Sequence, residues 1–251
     1  MPAHVSEAIV LRTYPFQEAD SVVSFLTRDL GKLRGVARRA RRPKNRFGSG
    51  LERLSHVQMA YFRKETRELV SLDSCELIHS PFHMSSDYET GLALDFMAEV
   101  TDQVLPSADP NERHFRLLLT VLEHLRGGTQ NLWRAVTYFG LWSVRLAGLL
   151  PELHVCHACG VLLDDEEHPQ RAFFRRTEEG LCCPGCRRPG SLELTAASRA
   201  IADEMLRTSI TQASPGDFTR STAGDLRQFL HQRIENHIER RLLTAPQLEA
   251  L

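Results

Sequence analysis

Long apolar runs are missing from this chain of 251 residues. The most apolar stretch, LWSVRLAGLL, is short and broken by Arg145, well below the roughly 18 residues of a bilayer-crossing helix. No membrane span is expected. The opening MPAHVSEAIVLRTY has no basic segment leading into an apolar one, so no secretory leader and an intracellular location are expected. Catalytic signatures are missing too: there is no GxxxxGK[ST] phosphate loop, no GxSxG elbow and no HExxH helix. His231 and His237 stand six apart, a spacing that does not bring both to one helix face for a metal. Nothing in the pattern asks for an enzyme. Internal repeats and low-complexity tracts are absent. Hydrophobic residues at 42% and charged residues at 25% place the chain with folded proteins.

One absence is local. No Asp or Glu occurs from Lys32 to Gly50, yet this stretch holds eight basic residues: Lys32, Arg34, Arg38, Arg39, Arg41, Arg42, Lys44 and Arg46. The whole chain carries 31 basic and 32 acidic residues, a formal charge of -1. Residues 1–80 hold 14 basic against 9 acidic residues (+5), which leaves 17 against 23 (-6) for the remainder. A basic front on an acidic back points to a polyanion site in the first part.

The first eighty residues read as β structure. AIVLRTY and SVVSFLT are β-rich, and LGKLRGVAR follows a turn at Leu30-Gly31. VQMAYF sets Val57, Met59 and Tyr61 against Gln58, Ala60 and Phe62, the period-two mark of a strand. Lys64-Glu65-Thr66-Arg67 then turns the chain into ELVSLDSCELI. Five short strands suit a small barrel or sandwich. The basic run, with Pro43, Gly48 and Gly50 near its end, falls between the third and fourth strands as a strand end and an exposed loop.

From about Ser85 the period becomes helical. TGLALDFMAEVTDQVL carries a stripe of Leu92, Phe96, Val100 and Val104 and stops at Pro106. NERHFRLLLTVLEHLRG repeats the pattern up to Gly127-Gly128, and NLWRAVTYFGLWSVRLAGLL up to Pro151. Beyond an irregular segment, LTAASRAIADEMLRT is capped by Thr195, and DLRQFLHQRIENHIERRLL predicts a last helix with a stripe from Leu226 to Leu242.

Five of the six cysteines fall in the irregular segment. Cys156 and Cys159 are separated by two residues, as are Cys183 and Cys186, with 23 residues between the pairs. A two-residue spacer lets both thiolates of one knuckle face a common point, and two knuckles complete a tetrahedron suited to Zn2+. Gly160 and Gly185 fit turns that favour positive φ. Cys182 would require a three-residue spacer and is left out, and His154, His157 and His168 read as loop histidines. Four thiolates leave no open coordination position, so the expected ion is structural: one Zn2+ stapling a loop-rich excursion. Arg171, Arg175, Arg176, Arg187 and Arg188 flank it and read as solubilising charges, while Asp164, Asp165, Glu166 and Glu167 read as a solvated polar loop.

Solvated surface, a disordered arm or a localisation signal are alternatives for the basic run. Its internal place between strands argues against an arm. Eight uncompensated cations need a counter-charge, which nucleic-acid phosphates supply with release of condensed counterions. Arginine forks suit phosphate oxygens and stack on bases. Phe47, Tyr61 and Phe62 could add stacking for single strands, although Tyr61 and Phe62 also read as core.

Taken in order, AIVLRTYPFQEADSVVSFLT, GVARRARRPKNRF, LAGLLPELHVCHACG, EEGLCCPGC and RIENHIERRLLTAPQL resemble the RecO family of bacterial DNA repair and recombination mediators over nearly the whole chain. The resemblance implies an α+β fold: a five-stranded OB-fold barrel at 1–80, then an α-helical domain at 81–251 with a four-cysteine zinc finger inserted at about 152–190. It also implies a non-enzymatic protein that binds single- and double-stranded DNA and anneals complementary strands. Its partners would be RecR and the C-terminal tail of single-strand-binding protein, with RecA helped indirectly onto coated DNA. The location would be cytoplasmic and nucleoid-associated. The family's basic loop maps onto Arg38, Arg39, Arg41, Arg42, Lys44 and Arg46, and its zinc ligands onto Cys156, Cys159, Cys183 and Cys186. Arg39 and Asn45 stand where the family pattern has Gly and Ser, and LLTAPQL stands where a Lys-Ser pair is common. An RNA-binding or transcription-type zinc-ribbon protein is the alternative for the same surfaces; a hydrolase has no motif behind it. The helical domain, with Arg126, Arg134 and Arg145 on its rims, is the candidate holder of a partner's acidic tail.

Overall fold

Strand alternation and a parallel closing pair decide the architecture of the first part. The computed structural model describes residues 3–64, 66–128, 132–164, 171–212 and 218–251. Five strands, β1 (Ala3–Phe16), β2 (Asp20–Thr27), β3 (Gly31–Ala37), β4 (His56–Phe62) and β5 (Leu69–His79), form a closed barrel in the order β1-β2-β3-β5-β4. β4 pairs antiparallel with β1 to close the ring, and β3 runs parallel to β5. This is the OB-fold expected. Val57, Met59 and Tyr61 point inward and are fully buried, with Val10, Val23, Phe25, Leu33 and Val70 beside them. Arg34 and Val36 of β3, and Arg38 just past its end, form the outward set, so strand parity sends charge to the surface of the barrel. Gly31 sits at φ +74°, and a Cβ there would lie 1.9 Å from the Asp109 carbonyl oxygen; only glycine fits this approach.

After a 3-10 turn at Phe82–Ser86 the helices follow: α1 (Tyr88–Val104), α2 (Glu112–Arg126), α3 (Leu132–Leu146), α4 (Ala196–Arg207), α5 (Gly224–His237) and the short α6 (Ala245–Glu249). Asp87 caps α1 by accepting from the Thr90 N–H at 2.9 Å, and Thr195 caps α4 through Ser198. Asn131, read as the start of the third helix, and Glu65, read as part of a turn, lie outside the described residues.

The chain groups into two compact units, Met1–Leu122 with Leu242–Leu251, and Glu123–Arg241. In the first, α1 packs on β1 and α6. In the second, α3 and α4 pack on α5, and Phe174 meets the Phe229 ring edge-on at 5.2 Å. The last long helix is shorter than its stripe of apolar residues suggested. It ends at His237, and Glu239 turns to φ 54°. Leu242 is buried in the first unit, where the Glu99 carboxylate accepts from the N–H groups of Leu243 and Thr244 at 2.8 and 2.9 Å.

No described helix is long and apolar enough to cross a membrane.

Candidate nucleic-acid interface and metal centre

The β3–β4 loop is a folded turn fixed at both ends. At its start the Arg39 N–H donates to Asp20 Oδ1 at 2.8 Å, and the Arg41 N–H donates to the Ala19 carbonyl at 3.0 Å. Ala19 belongs to the β1–β2 turn and Asp20 opens β2. At its end Asn45 Oδ1 accepts from the N–H groups of Phe47 and Gly48 at 2.8 and 2.9 Å, and Asn45 Nδ2 donates to the Arg42 carbonyl. This is side-chain capping of a turn. Arg39 and Lys44 hold φ values of 57° and 58°, the left-handed region in which side chains other than Gly and Asn are strained. Glycine in place of Arg39 would suit that backbone.

The eight basic residues do not all play one part. Arg38, Arg39, Arg42, Lys44 and Arg46 line one cavity of about 530 Å3 together with Ser71, Leu72 and Asp73. Arg41 is exposed beside it. Among the described residues the one carboxylate ion-paired with the stretch from Arg38 to Arg46 is Asp73, 3.0 Å from Arg46; later in the loop, Arg53 pairs with Asp95. Arg34 is exposed three residues before Ala37 and opens into a second cleft with Arg63 and Arg67 of the β4–β5 turn. Lys32 differs from the rest. It is buried, its ammonium donates to the Asp102 carbonyl, and it lies 3.9 Å from the Asp102 carboxylate.

Phe47 is not available for stacking. It is 4% exposed and belongs to the barrel core, because the Asn45 turn folds the chain back over the end of the barrel. Tyr61 is likewise core, donating to or accepting from Ser6 Oγ at 3.1 Å, and burial pushes its phenol pKa up. Phe16, at the end of β1, is an exposed aromatic of the barrel surface. Sequence reading passed over Phe16, Arg63 and Arg67; the density of cations around the Lys64-Glu65 turn was the available signal.

In the second unit four cysteines converge. The sulfurs of Cys156, Cys159, Cys183 and Cys186 all lie within 4.8 Å of one another, and Cys159 and Cys183 are 3.8 Å apart. Metal–sulfur bonds of about 2.3 Å in a tetrahedron put sulfurs about 3.8 Å apart, so the cluster fits such an ion. Burial alone would raise the Cys156 thiol, but backbone amides of Cys183, Cys159 and Ala158 aimed at the sulfur outweigh it and bring it to about 6. Facing sulfurs of Cys159 and Cys183 push the Cys186 thiol up to about 12. Four thiolates this close repel, and a divalent cation at their centre offsets that repulsion. Gly160 has φ +76° and closes the first knuckle; Gly185 needs no such conformation.

Cys182 is not one of the four, although its side chain reaches that of Cys156. Its backbone pairs with Phe173, its thiol donates to Glu178, and burial raises its pKa to about 11. His154 is turned to Asp164 and Asp203, and Asp164 also accepts from the buried Arg199. Asp164 is thus a structural acid and not simply a solvated one; Asp165, Glu166, Glu167 and His168 lie outside the described residues. Of the flanking arginines, Arg171 pairs with Glu193, Arg176 with Glu235 and Arg188 with Glu178, while Arg187 lies over the Phe173 ring. Their charge is largely spent inside the second unit.

A closed five-stranded barrel with a cationic loop, joined to helices interrupted by a four-cysteine ribbon, defines an OB-fold protein with a candidate structural metal centre. The chain belongs to the RecO family. The description "Recombination protein O N terminal" matches residues 1–81 and "Recombination protein O C terminal" matches residues 85–245. A relative from Koribacter versatilis (strain Ellin345), named DNA repair protein RecO, is 47% identical over 246 residues, 98% of each chain. Relatives of the same name from Nocardioides sp. (strain ATCC BAA-499 / JS614) and Symbiobacterium thermophilum are 33% identical over 203 residues and 31% identical over 251 residues. The first covers 80% of this chain and 81% of its own, the second 98% and 96%.

Proposed function

We infer that this protein is a non-enzymatic DNA-binding and strand-annealing mediator of DNA repair and homologous recombination. Residues 1–80 hold DNA, and residues 81–251 form the helical domain that carries the zinc finger. The observation that supports this most is the loop from Arg38 to Arg46: six cations gathered on an OB-fold barrel, with one ion-paired carboxylate among the described residues. Such a surface grips phosphates with little sequence preference, and its grip weakens steeply with salt. Bringing two strands onto one cationic surface screens their mutual repulsion, which is the barrier to annealing.

Arg34, Arg38, Arg39, Arg41, Arg42, Lys44 and Arg46 are the DNA-binding residues of this reading. Lys32 supports the barrel from beneath through Asp102. The metal is one structural Zn2+ held by Cys156, Cys159, Cys183 and Cys186; four soft thiolates without a redox partner select it, and it would supply rigidity to the ribbon. Membership of the RecO family supports the partners as well: a RecR-type protein, the acidic tail of single-strand-binding protein, and RecA as the recombinase helped onto coated DNA. Annealing of complementary oligonucleotides coated with single-strand-binding protein tests the reading. The wild type should accelerate duplex formation, and Arg38/Arg39/Arg41/Arg42→Ala should not. An equal rate with the variant refutes the assignment to this loop.

A further inference from the structure

The basic loop is one end of a longer groove. Three cavities follow one another along the outer surface of the barrel, beside the parallel β3–β5 pair. The loop cavity shares Arg38 and Ser71 with a middle cavity of about 460 Å3. The middle cavity shares Arg67, Glu68, Leu69 and Val70 with an end cleft of about 310 Å3 that contains Arg34 and Arg63. Apart from Lys32, which Asp102 engages, eight basic side chains line the three, against the acids Asp20, Glu68 and Asp73. The positive lining therefore does not stop at the loop.

The middle cavity is different in kind. Its wall includes Phe16, 40% exposed, beside Val36 on the outward face of β3. Phe16 is outside the barrel's core cluster, and the exposed part of its ring costs solvation. It lines the same cavity as Arg38 and Arg67 and offers a flat apolar face among those cations. From Arg34 to Arg38 is four residues of strand, about 13 Å at 3.3 Å per residue. That length matches about four nucleotides stacked at 3.4 Å. A duplex keeps its bases paired and turned inward, so it can use the cations but not the ring. A single strand can use both.

We propose that the β3–β5 groove is a single-strand track, in which Arg63 and Arg67 extend the phosphate contacts beyond the basic loop and Phe16 stacks a base, so that Phe16 sets the preference for single-stranded over double-stranded DNA. This rests on the DNA-binding reading above and adds to it the path of the strand and the residue that tells the two forms apart. Glu68, where the middle cavity meets the end cleft, and Asp73, in the loop cavity, keep phosphate from settling there and leave the arginines as its stations.

The test is equilibrium binding of the full chain to a fluorescein-labelled oligo-dT and to a duplex of equal length, followed by anisotropy. Phe16→Leu keeps the apolar bulk and removes the π-face, and Phe16→Ala removes both; far-UV circular dichroism confirms the barrel in each. Both variants should weaken oligo-dT binding by about 5- to 160-fold, the range of one base–aromatic stack, with duplex affinity unchanged within about twofold. Arg63→Ala/Arg67→Ala should weaken oligo-dT binding and lower the slope of log affinity against log salt by about 1.4, at about 0.7 per phosphate contact on a single strand. Wild-type oligo-dT affinity in Phe16→Leu, or an equal loss for oligo-dT and duplex, overturns the stacking assignment. If the Arg38/Arg39/Arg41/Arg42→Ala variant binds oligo-dT as the wild type does, the parent reading falls instead. Loss in that variant with no loss in the Phe16 and Arg63/Arg67 variants removes the track alone.

Discussion

The Asp20 carboxylate accepts a hydrogen bond at 2.8 Å from the backbone N–H of Arg39, which is held at φ 57°. An acid that opens β2 thereby fixes the first bend of a loop crowded with cations. The bend is strained at its centre. It persists because Asp20 and the Ala19 carbonyl satisfy the two backbone donors that the bend turns toward them.

Arg39→Gly separates conformation from charge. Removing the side chain from a left-handed backbone position should stabilise the first unit by about 1 kcal/mol, read as a higher urea midpoint. The same change removes one phosphate contact, so DNA affinity should fall and the salt slope should drop by about 0.7. Stability and binding move in opposite directions, which a purely structural or purely electrostatic role for Arg39 would not give.

Phe47→Ala tests the assignment of this ring to the core. It should cost about 3–5 kcal/mol of stability, as expected for a buried aromatic. Phe47→Leu should cost less and leave oligonucleotide affinity at the wild-type level. A full-strength fold with selectively weakened single-strand binding would return Phe47 to the DNA surface. Asn45→Ala acts at the same turn: with two backbone N–H groups losing their acceptor, a loss of about 1 kcal/mol is expected in urea unfolding.

Metal analysis addresses the ribbon. The wild type should hold one zinc per chain. Cys156→Ser should lower that content and the thermal midpoint together, because the ribbon has little apolar core of its own. Cys182→Ser should keep one zinc, since its sulfur is not among the four that converge and its thiol donates to Glu178. Loss of zinc in Cys182→Ser would redraw the ligand set.

Acid should weaken the fold through His114. Complete burial lowers its pKa from 6.5 to about 4. Between those values the unfolded chain binds a proton that the folded chain refuses, so this contribution is fully present above about pH 6.5 and is lost as pH falls toward 4. The expected slope is up to about 1.4 kcal/mol per pH unit for one such group. Urea midpoints measured at pH 7 and pH 5 should differ more in the wild type than in His114→Gln; an equal difference assigns the acid sensitivity elsewhere.

Much of the fold and of the site is readable in the sequence, and the reasons are local. The alternation of Val57, Met59 and Tyr61 is a direct imprint of strand geometry, and all three are in the barrel core. The two-residue spacing within each cysteine pair lets both sulfurs face a common point, and the four sulfurs do converge. Three features depend on partners distant in sequence. Lys32 has the same strand parity as Arg34, yet Asp102 of α1 claims its ammonium, and no pattern within the basic run announces that. Phe47 lies in a charged loop but fills the barrel end once Asn45 bends the chain back. The apolar stripe of the last helix runs on through Ile238 to Leu242, whereas the helix stops at His237 and Leu242 is buried with the first unit.

The central claim is that the loop from Arg38 to Arg46 holds DNA by its phosphates. Affinity for a labelled single strand, measured from low to high salt with the wild type and Arg38/Arg39/Arg41/Arg42→Ala, tests it most directly. At about 0.7 per contact, the variant should lose up to about 2.8 from the slope of log affinity against log salt and bind far more weakly at low salt. An unchanged slope and affinity in the variant would contradict the account.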